Sequence, residues 1–310
     1  VQTFRTLRDV PSNLSDTAVT IGKFDCLHLG HQSLFAELIA YARENQLAPT
    51  IVTFDRHPDH LLRPDRAKAP ILGRNQKHEM LNQSGADYLL ELEFNQELAD
   101  KTPEQFAKQI LVDTLRAKMV MVGEGFRFGN QGSGNAQTLR ELGQLYGFEV
   151  REVNPVEVDG EIVSTTRVRE LLDQGDVATV ARLLGRVHVA VGVVEHGLKI
   201  GRKIGFPTAN LSREAEGYLP LDGVYSGWLV SEGVRYPAAH SVGINETFQA
   251  VPRLVESHVL DETDLDLYDK VVTLEFVDFV RPVEKFDGVD SLVGQINLDL
   301  EVVRKQLGLK

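Results

Sequence analysis

At "LLGR", residues 183–186, the sequence changes its period. Upstream, short apolar runs alternate with longer segments whose apolar residues recur at helical spacing. Downstream, apolar and polar residues alternate one by one. In the first half AVTI (18–21), TIVTF (50–54), DYLL (87–90) and MVMVG (119–123) are predicted strands. Between the first two, Leu34, Phe35, Leu38, Ile39 and Ala42 define one helical face, and Thr102, Pro103 and Gln105 mark a further helix start. This alternation predicts a parallel sheet covered by helices. Right-handed crossovers then gather the strand C-terminal ends, and with them any ligand, along one edge.

In the second half Val187, Val189, Val191 and Val193 read as a strand, followed by candidates at 224–231, 235–244, 253–261 and 270–280. In the last, Val272, Leu274 and Phe276 alternate with Thr273 and Glu275. Short strands with Gly- and Pro-bearing turns predict a small antiparallel barrel. A closing helix carries Leu292, Ile296, Leu300 and Val303 on one stripe. A chain of 310 residues is long for one core, and the change of texture places the boundary near Gly185, giving domains 1–185 and 186–310.

Composition narrows the partners. No apolar run approaches the ~20 residues of a membrane span, and "VQTFRTLRDVPSNLSD" shows no signal-peptide core. The single cysteine excludes an internal disulfide framework and fits a reducing cytoplasm. The formal net charge of −12 argues against nucleic-acid binding, so a phosphate site must be local. The expectation is a cytoplasmic protein acting on small molecules, with no nucleic-acid or membrane partner; a homo-oligomer is compatible with all of this.

"IGKFDCLHLGHQSLF", 21–35, joins a strand to a helix and holds His28 and His31 around Gly30. Histidines in such a turn are expected at the surface, which argues against a core role. Cys26, His28 and His31, with His57 or His60 as a fourth ligand, would suit zinc. Alternatively, a helix N-terminus attracts anions, Gly30 admits a phosphate close to the backbone, and imidazoles donate hydrogen bonds without permanent charge. "STTRVRELL", 164–172, adds Ser164, Thr165 and Thr166 before a second helix, with Arg167 and Arg169 in its first turn. The helix dipole disfavours cations there, and a bound polyphosphate would remove that penalty. "GEGFRFG", 123–129, is one residue too long for a dinucleotide fingerprint and opens no helix.

"GKFDCLHLGH" resembles the G-x-F-D-G-x-H-x-G-H signature of the nucleotidyltransferase superfamily, and "STTRVRE" resembles its second phosphate element. The resemblance implies a Rossmann-like α/β domain and adenylyl or cytidylyl transfer without a covalent intermediate. It implies nucleotide contacts at Gly22, Phe24 and Gly30, with His28 and His31 on the α-phosphate. Ser164, Thr165, Thr166 and the catalytic Arg169 would face the outgoing pyrophosphate. "GRKIGFPTANL", 201–211, closely resembles the riboflavin kinase signature, and "VESHVLD", 255–261, its Glu-bearing strand. That likeness implies nucleotide contacts at Gly201 and Gly205, Mg²⁺ and ATP phosphates on Thr208 and Asn210, and Glu256 as general base. Together the halves resemble the bifunctional bacterial riboflavin kinase/FMN adenylyltransferase family, with riboflavin, FMN, FAD and ATP as substrates and products and Phe54, Phe126 and Phe128 at the flavin.

Three positions depart from the family pattern. Cys26 replaces a usual Gly and is expected to crowd the nucleotide or shift the loop. Gly125 replaces a polar residue before the aromatic pair, and "VGINETF", 242–248, lacks the usual Thr and Pro. Two other readings stay open on the residues alone: a nucleotidyltransferase for another small phosphate, and a non-catalytic flavin-binding protein.

Overall fold

A computed structural model describes residues 1–196, 200–243, 253–262 and 264–309. By packing the chain divides into two units, residues 1–70 with 74–164, and residues 71–73 with 165–309.

The first unit is built on β1 (Gln2–Phe4), β2 (Thr17–Ile21), α1 (Leu29–Glu44), β3 (Ala48–Phe54), α2 (Arg74–Asn82), β4 (Tyr88–Leu92), β5 (Ala117–Gly123), α3 (Ala136–Tyr146) and β6 (Glu149–Val153). The strands form one six-stranded parallel sheet in the order β1-β4-β3-β2-β5-β6. β2 is buried along its whole length and β3 nearly so, as expected of central parallel strands covered on both faces. β6, "EVREV", carries exposed charges because it is an edge. β3 and β4 lie to one side of β2, β5 and β6 to the other. The C-terminal ends of β2 and β5 therefore flank the topological switch point, where open α/β sheets bind ligands. Thr102 caps the next helical segment as expected, its hydroxyl accepting from the Gln105 N–H at 3.2 Å while the Gln105 side-chain carbonyl accepts from the Thr102 N–H.

The second unit begins with α4 (Thr165–Gln174) and α5 (Val177–Leu184) and continues into β7 (His188–Glu195), β8 (Ala209–Leu211), β9 (Gly223–Ser231), β10 (Val234–Gly243), β11 (Leu254–Val259), β12 (Val271–Pro282) and α6 (Val289–Gln306). The strands close into an antiparallel barrel in the order β7-β8-β11-β10-β9-β12. Tyr225 and Phe276 are fully buried in it, their rings edge to face at 5.5 Å. His240 is buried between the Ser257 hydroxyl and the Glu275 carbonyl, and burial pulls its pKa down to about 4, so it is a neutral core residue.

The packing division falls at residues 164/165 rather than at the change of texture near Gly185. The reason is that α5 buries Val177, Val180, Leu183 and Leu184 against β7 and β12, which ties the preceding helices to the barrel.

Candidate active sites

The turn between β2 and α1 is tightly wound: Phe24 and Leu27 both take left-handed backbone, with φ of 49° and 48°. Phe24 folds back so far that a Cβ on Gly22 would lie 2.6 Å from its ring. The ring is buried, edge-on to Phe35 at 4.9 Å and to His31 at 5.2 Å. Phe24, expected at the nucleotide, thus supports the His31 ring from within the core. Cys26, between the two left-handed residues, does not itself take positive φ and is fully buried. Its side chain is accommodated by the loop.

His28 is the N-cap of α1. Its Nδ1 accepts from the His31 backbone N–H at 3.3 Å, a task usually left to Ser, Thr, Asp or Asn. The two imidazoles stack with centroids 3.7 Å apart and planes 17° from parallel. Capping draws His28 inward, so the expectation of surface histidines is corrected: His28 is only 7% exposed and His31 is half-buried. A Cβ on Gly30 would approach the His28 ring to 3.0 Å, so Gly30 makes room for the cap as well as baring backbone. With Nδ1 accepting, the assigned tautomer of His28 carries its proton on Nε2. Burial, reinforced by His28 and Lys77, holds the His31 pKa well below its ordinary 6.5. His31 is therefore neutral at pH 7.

Lys77, on α2, carries no sequence motif and lies close enough to His31 to act on its charge. Its Nζ donates to the Phe54 carbonyl at 3.0 Å, at the C-terminal end of β3. Burial brings its pKa down to about 8, against the opposing pull of Glu91, Asp25 and Asp55. On an otherwise polar helix such a lysine reads as solvated surface, and only the fold reveals its burial.

β5 delivers Gly123 to the same sheet edge, and Gly125 follows with φ of 72°. No atom lies within 4 Å of the point where a Cβ on Gly125 would stand. Phe126 stacks on Phe128 at 5.5 Å, and Phe128 is buried with its edge to Phe106 at 5.8 Å. Of the aromatics expected at a flavin, Phe54 and Phe126 are half-buried and Phe128 is core. "GEGFRFG" turns into a short hairpin, residues 127–128 pairing with 134–135, in keeping with its rejection as a dinucleotide motif.

In the second unit, Thr165 opens α4 directly after Ser164. Arg169 lies beyond the first turn, correcting its expected place there. It is buried, with its guanidinium 5.0 Å from the Tyr218 ring centre, and the Tyr218 hydroxyl donates to Asp173 at 2.7 Å. Thr166 is exposed and sits outside this contact.

The barrel brings together residues that the sequence keeps far apart. Asn210 on β8 and Glu256 on β11 are directly paired across the sheet, and Thr208 Oγ1 donates to Glu256 Oε2 at 3.5 Å, the limit for a hydrogen bond. Along β11, Val255, Ser257 and Val259 are buried while Glu256 and His258 are half-buried, so Glu256 faces away from the barrel core. A pocket beside this pair is lined by Arg202, Thr208, Asn210, Glu262, Leu267 and Tyr268. Gly201 is needed by packing: a Cβ there would meet the Phe206 carbonyl at 2.3 Å. Gly205 takes φ of 92° at the turn entering "FPTAN". Of "VGINETF", residues 244–248 lie outside the described residues.

The two sites differ in metal chemistry. Thr208, Asn210 and Glu256 offer oxygen donors, the class that Mg²⁺ selects. Cys26, His28 and His31 offer sulfur and nitrogen, and their donor atoms all lie within 4.8 Å of one another. Neither His57 nor His60 joins that group; His57 Nδ1 accepts instead from the Asp59 N–H at 3.1 Å. The expectation of a fourth ligand from that loop is thereby corrected.

A family model for FAD synthetase matches residues 10–167, and one for riboflavin kinase matches residues 184–307. Bifunctional riboflavin kinase/FMN adenylyltransferases are similar along nearly the whole chain. That of Escherichia coli (strain K12) is 32% identical over 94% of this chain and 93% of its own. That of Buchnera aphidicola subsp. Acyrthosiphon pisum (strain APS) is 30% identical over 98% of each. A crystal structure described as a macrolide-efflux protein from Streptococcus pneumoniae shares the fold, with a TM-score of 0.86 and 32% identity over 98% of each chain. Among the described residues here, no helix is long and apolar enough to cross a membrane.

Proposed function

The chain belongs to the family of bifunctional riboflavin kinase/FMN adenylyltransferases, and from that premise we propose how its two sites divide the work. The barrel phosphorylates riboflavin with ATP to give FMN, and the parallel-sheet unit adenylates FMN with a second ATP to give FAD and pyrophosphate. The functional division runs near Gly185, with 1–185 serving adenylyl transfer and 186–310 the kinase.

In the kinase step Glu256 accepts the proton of the ribityl hydroxyl as that oxygen attacks the γ-phosphorus of ATP and ADP departs. Asn210, its cross-strand partner, and Thr208, whose hydroxyl reaches the same carboxylate, orient Glu256 and the phosphates. Mg²⁺, held by Thr208 and Asn210, would neutralise charge on the ATP phosphates. Gly201 and Gly205 shape the backbone that leads into this pair.

In the adenylyl step an FMN phosphate oxygen attacks the α-phosphorus of ATP in line, and pyrophosphate leaves. Nε2–H of His28 and the neutral His31 donate to α-phosphate oxygens, while the N–H groups opening α1 beside Gly22 and Gly30 add their dipole. Lys77 supplies positive charge to the same turn. Ser164 before α4, Thr165 and Thr166 at its start and Arg169 beyond its first turn receive the outgoing pyrophosphate. Phe54 and Phe126 offer aromatic faces to the isoalloxazine, Phe126 resting on Phe128, while Phe24 supports His31 from within the core. A single buried cysteine fits a reducing compartment such as the cytoplasm.

The observation that carries this reading is the pairing of Asn210 with Glu256 in the barrel while His28, stacked on His31, caps a helix at the sheet's switch point. Incubation with riboflavin, MgCl₂ and ATP, followed by chromatographic resolution of the flavins, tests it. FMN must form first and FAD after it; accumulation of FMN alone would remove the adenylyl assignment, and no turnover of riboflavin would remove the kinase assignment.

A further inference from the structure

The Cys26–His28–His31 cluster has no task in either reaction as a cluster. Cys26 takes no part in phosphate binding, and it stands where the family pattern has Gly, so that pattern gives the sulfur no role. Its thiol lies at the heart of the wound turn, buried, and its sulfur is within 4.8 Å of an imidazole nitrogen on both histidines. A tetrahedral zinc with Zn–S near ~2.3 Å and Zn–N near ~2.05 Å needs donor atoms about 3.3–3.6 Å apart. Side-chain rotation of roughly an ångström therefore closes the gap. A second observation points to a ligand independently of the thiol. His31 Nδ1 is buried and makes no hydrogen bond, which is unusual for a polar atom withdrawn from water. His28 Nδ1 is occupied as the helix cap, so Nε2 is the nitrogen that would coordinate.

We propose that Cys26, His28 and His31 form a three-ligand site for a thiophilic divalent cation, Zn²⁺ above all, with the fourth position open to water or a phosphate oxygen. Three protein ligands and one open position is the arrangement of exchangeable zinc sites, whereas closed structural sites use four. Binding releases the Cys26 thiol proton to solvent and makes no change in oxidation state. The consequence for activity rests on the reading of His28 and His31 as phosphate donors: zinc withdraws both imidazoles at once, so it inhibits FAD formation and spares FMN formation in the barrel.

The test is titration of the full chain with Co²⁺, read as visible d–d bands and near-ultraviolet thiolate-to-cobalt charge transfer, then displacement by Zn²⁺ against a chromophoric chelator. The wild-type chain is expected to bind one equivalent with a thiolate band. C26S and H31A are each expected to lose that band and weaken Zn²⁺ binding more than about 100-fold. Thermal melts confirm that each variant is folded, and C26A serves if C26S is not. Absence of a thiolate band in the wild type, or a Zn²⁺ affinity unchanged in folded C26S and C26A, overturns the site. FAD formation is then measured with one equivalent of Zn²⁺. Inhibition in the wild type that disappears in C26S supports the full proposal. A thiolate band without inhibition sustains the metal site and overturns instead the phosphate role of the two histidines.

Discussion

The two candidate sites are built from opposite materials. In the barrel the candidate site is set by strand register: Asn210 and Glu256 are directly paired, so the ladder that holds the barrel also places the proposed base beside its neighbour. At the sheet edge it is set by a turn with two left-handed residues, a histidine cap and stacked imidazoles. The first arrangement is rigid because main-chain hydrogen bonds define it. The second depends on side chains supporting side chains, Phe24 under His31 and Gly30 making room for His28. Oxygen donors belong to the first and nitrogen and sulfur donors to the second, so a substitution at one site should leave the chemistry of the other intact.

The largest effect expected from breaking that separation is at Glu256. Gln keeps the shape and cannot accept the proton, so Glu256→Gln should lower riboflavin phosphorylation about 10²–10⁴-fold. FMN supplied directly should still become FAD at the wild-type rate, measured by separating flavins after each substrate. Normal phosphorylation by the variant would show that Glu256 is not the base. The reciprocal change, His28→Ala, removes one phosphate donor and should cost FAD formation roughly 10²–10³-fold while sparing FMN formation. Equal loss of both activities would mean that the sites are not independent.

How much of this contrast was legible in the sequence depends on the kind of residue that carries it. The central strands announced themselves, because parallel strands buried on both faces admit little but apolar residues, as in "AVTI" and "MVMVG". The edge strands β1 and β6 did not: "QTF" is short, and "EVREV" tolerates charge where one side of the ladder meets solvent. The division at residues 164/165 was hidden because α4 and α5 have the texture of the first half and pack with the second. The motif around His28 and His31 was visible in the sequence, and the structure brings the two imidazoles into contact. The capping role of His28 and its burial were not visible there, since imidazole is an uncommon N-cap. The Asn210–Glu256 pairing is a tertiary fact that no local pattern encodes.

Lys77 sharpens the comparison through pH. Its ordinary pKa of 10.5 falls to about 8 in the fold, so between those values the unfolded chain binds more protons than the folded one. Stability from this group therefore rises as pH increases from about 8 toward 10.5 and is at its minimum below 8. At about 1.36 kcal/mol per unit the full difference is roughly 3 kcal/mol, most of it reached by about pH 10. In Lys77→Met the excess rise in wild-type unfolding free energy between pH 8 and pH 10 should vanish, measured by urea titration at both values. An identical pH slope in the two proteins would place Lys77 in solvent. Because the group sits in the sheet unit, kinase activity should not follow it.

The smallest effect, and the one that separates strain from lost chemistry, is at Gly125. It lies just past β5 at the ligand-bearing edge, with φ of 72° and open space where a side chain would go. The first fact disfavours any L-residue by roughly 1–2 kcal/mol, least for Asn, whose short amide tolerates the left-handed region. The second means that no steric clash adds to that cost. A polar side chain here would reach toward phosphate, and a hydrogen bond to a charged group contributes about 1.5–3 kcal/mol. Gly125→Asn should therefore raise kcat/KM for FAD formation about tenfold, lower the melting temperature by a few degrees, and leave FMN formation unchanged. Gly125→Ala keeps the backbone strain without the amide, so it should lose the stability and gain no activity. If both variants lose stability equally and neither gains, the glycine serves the turn alone, and the polar residue of the family pattern contributes nothing that this loop can recover.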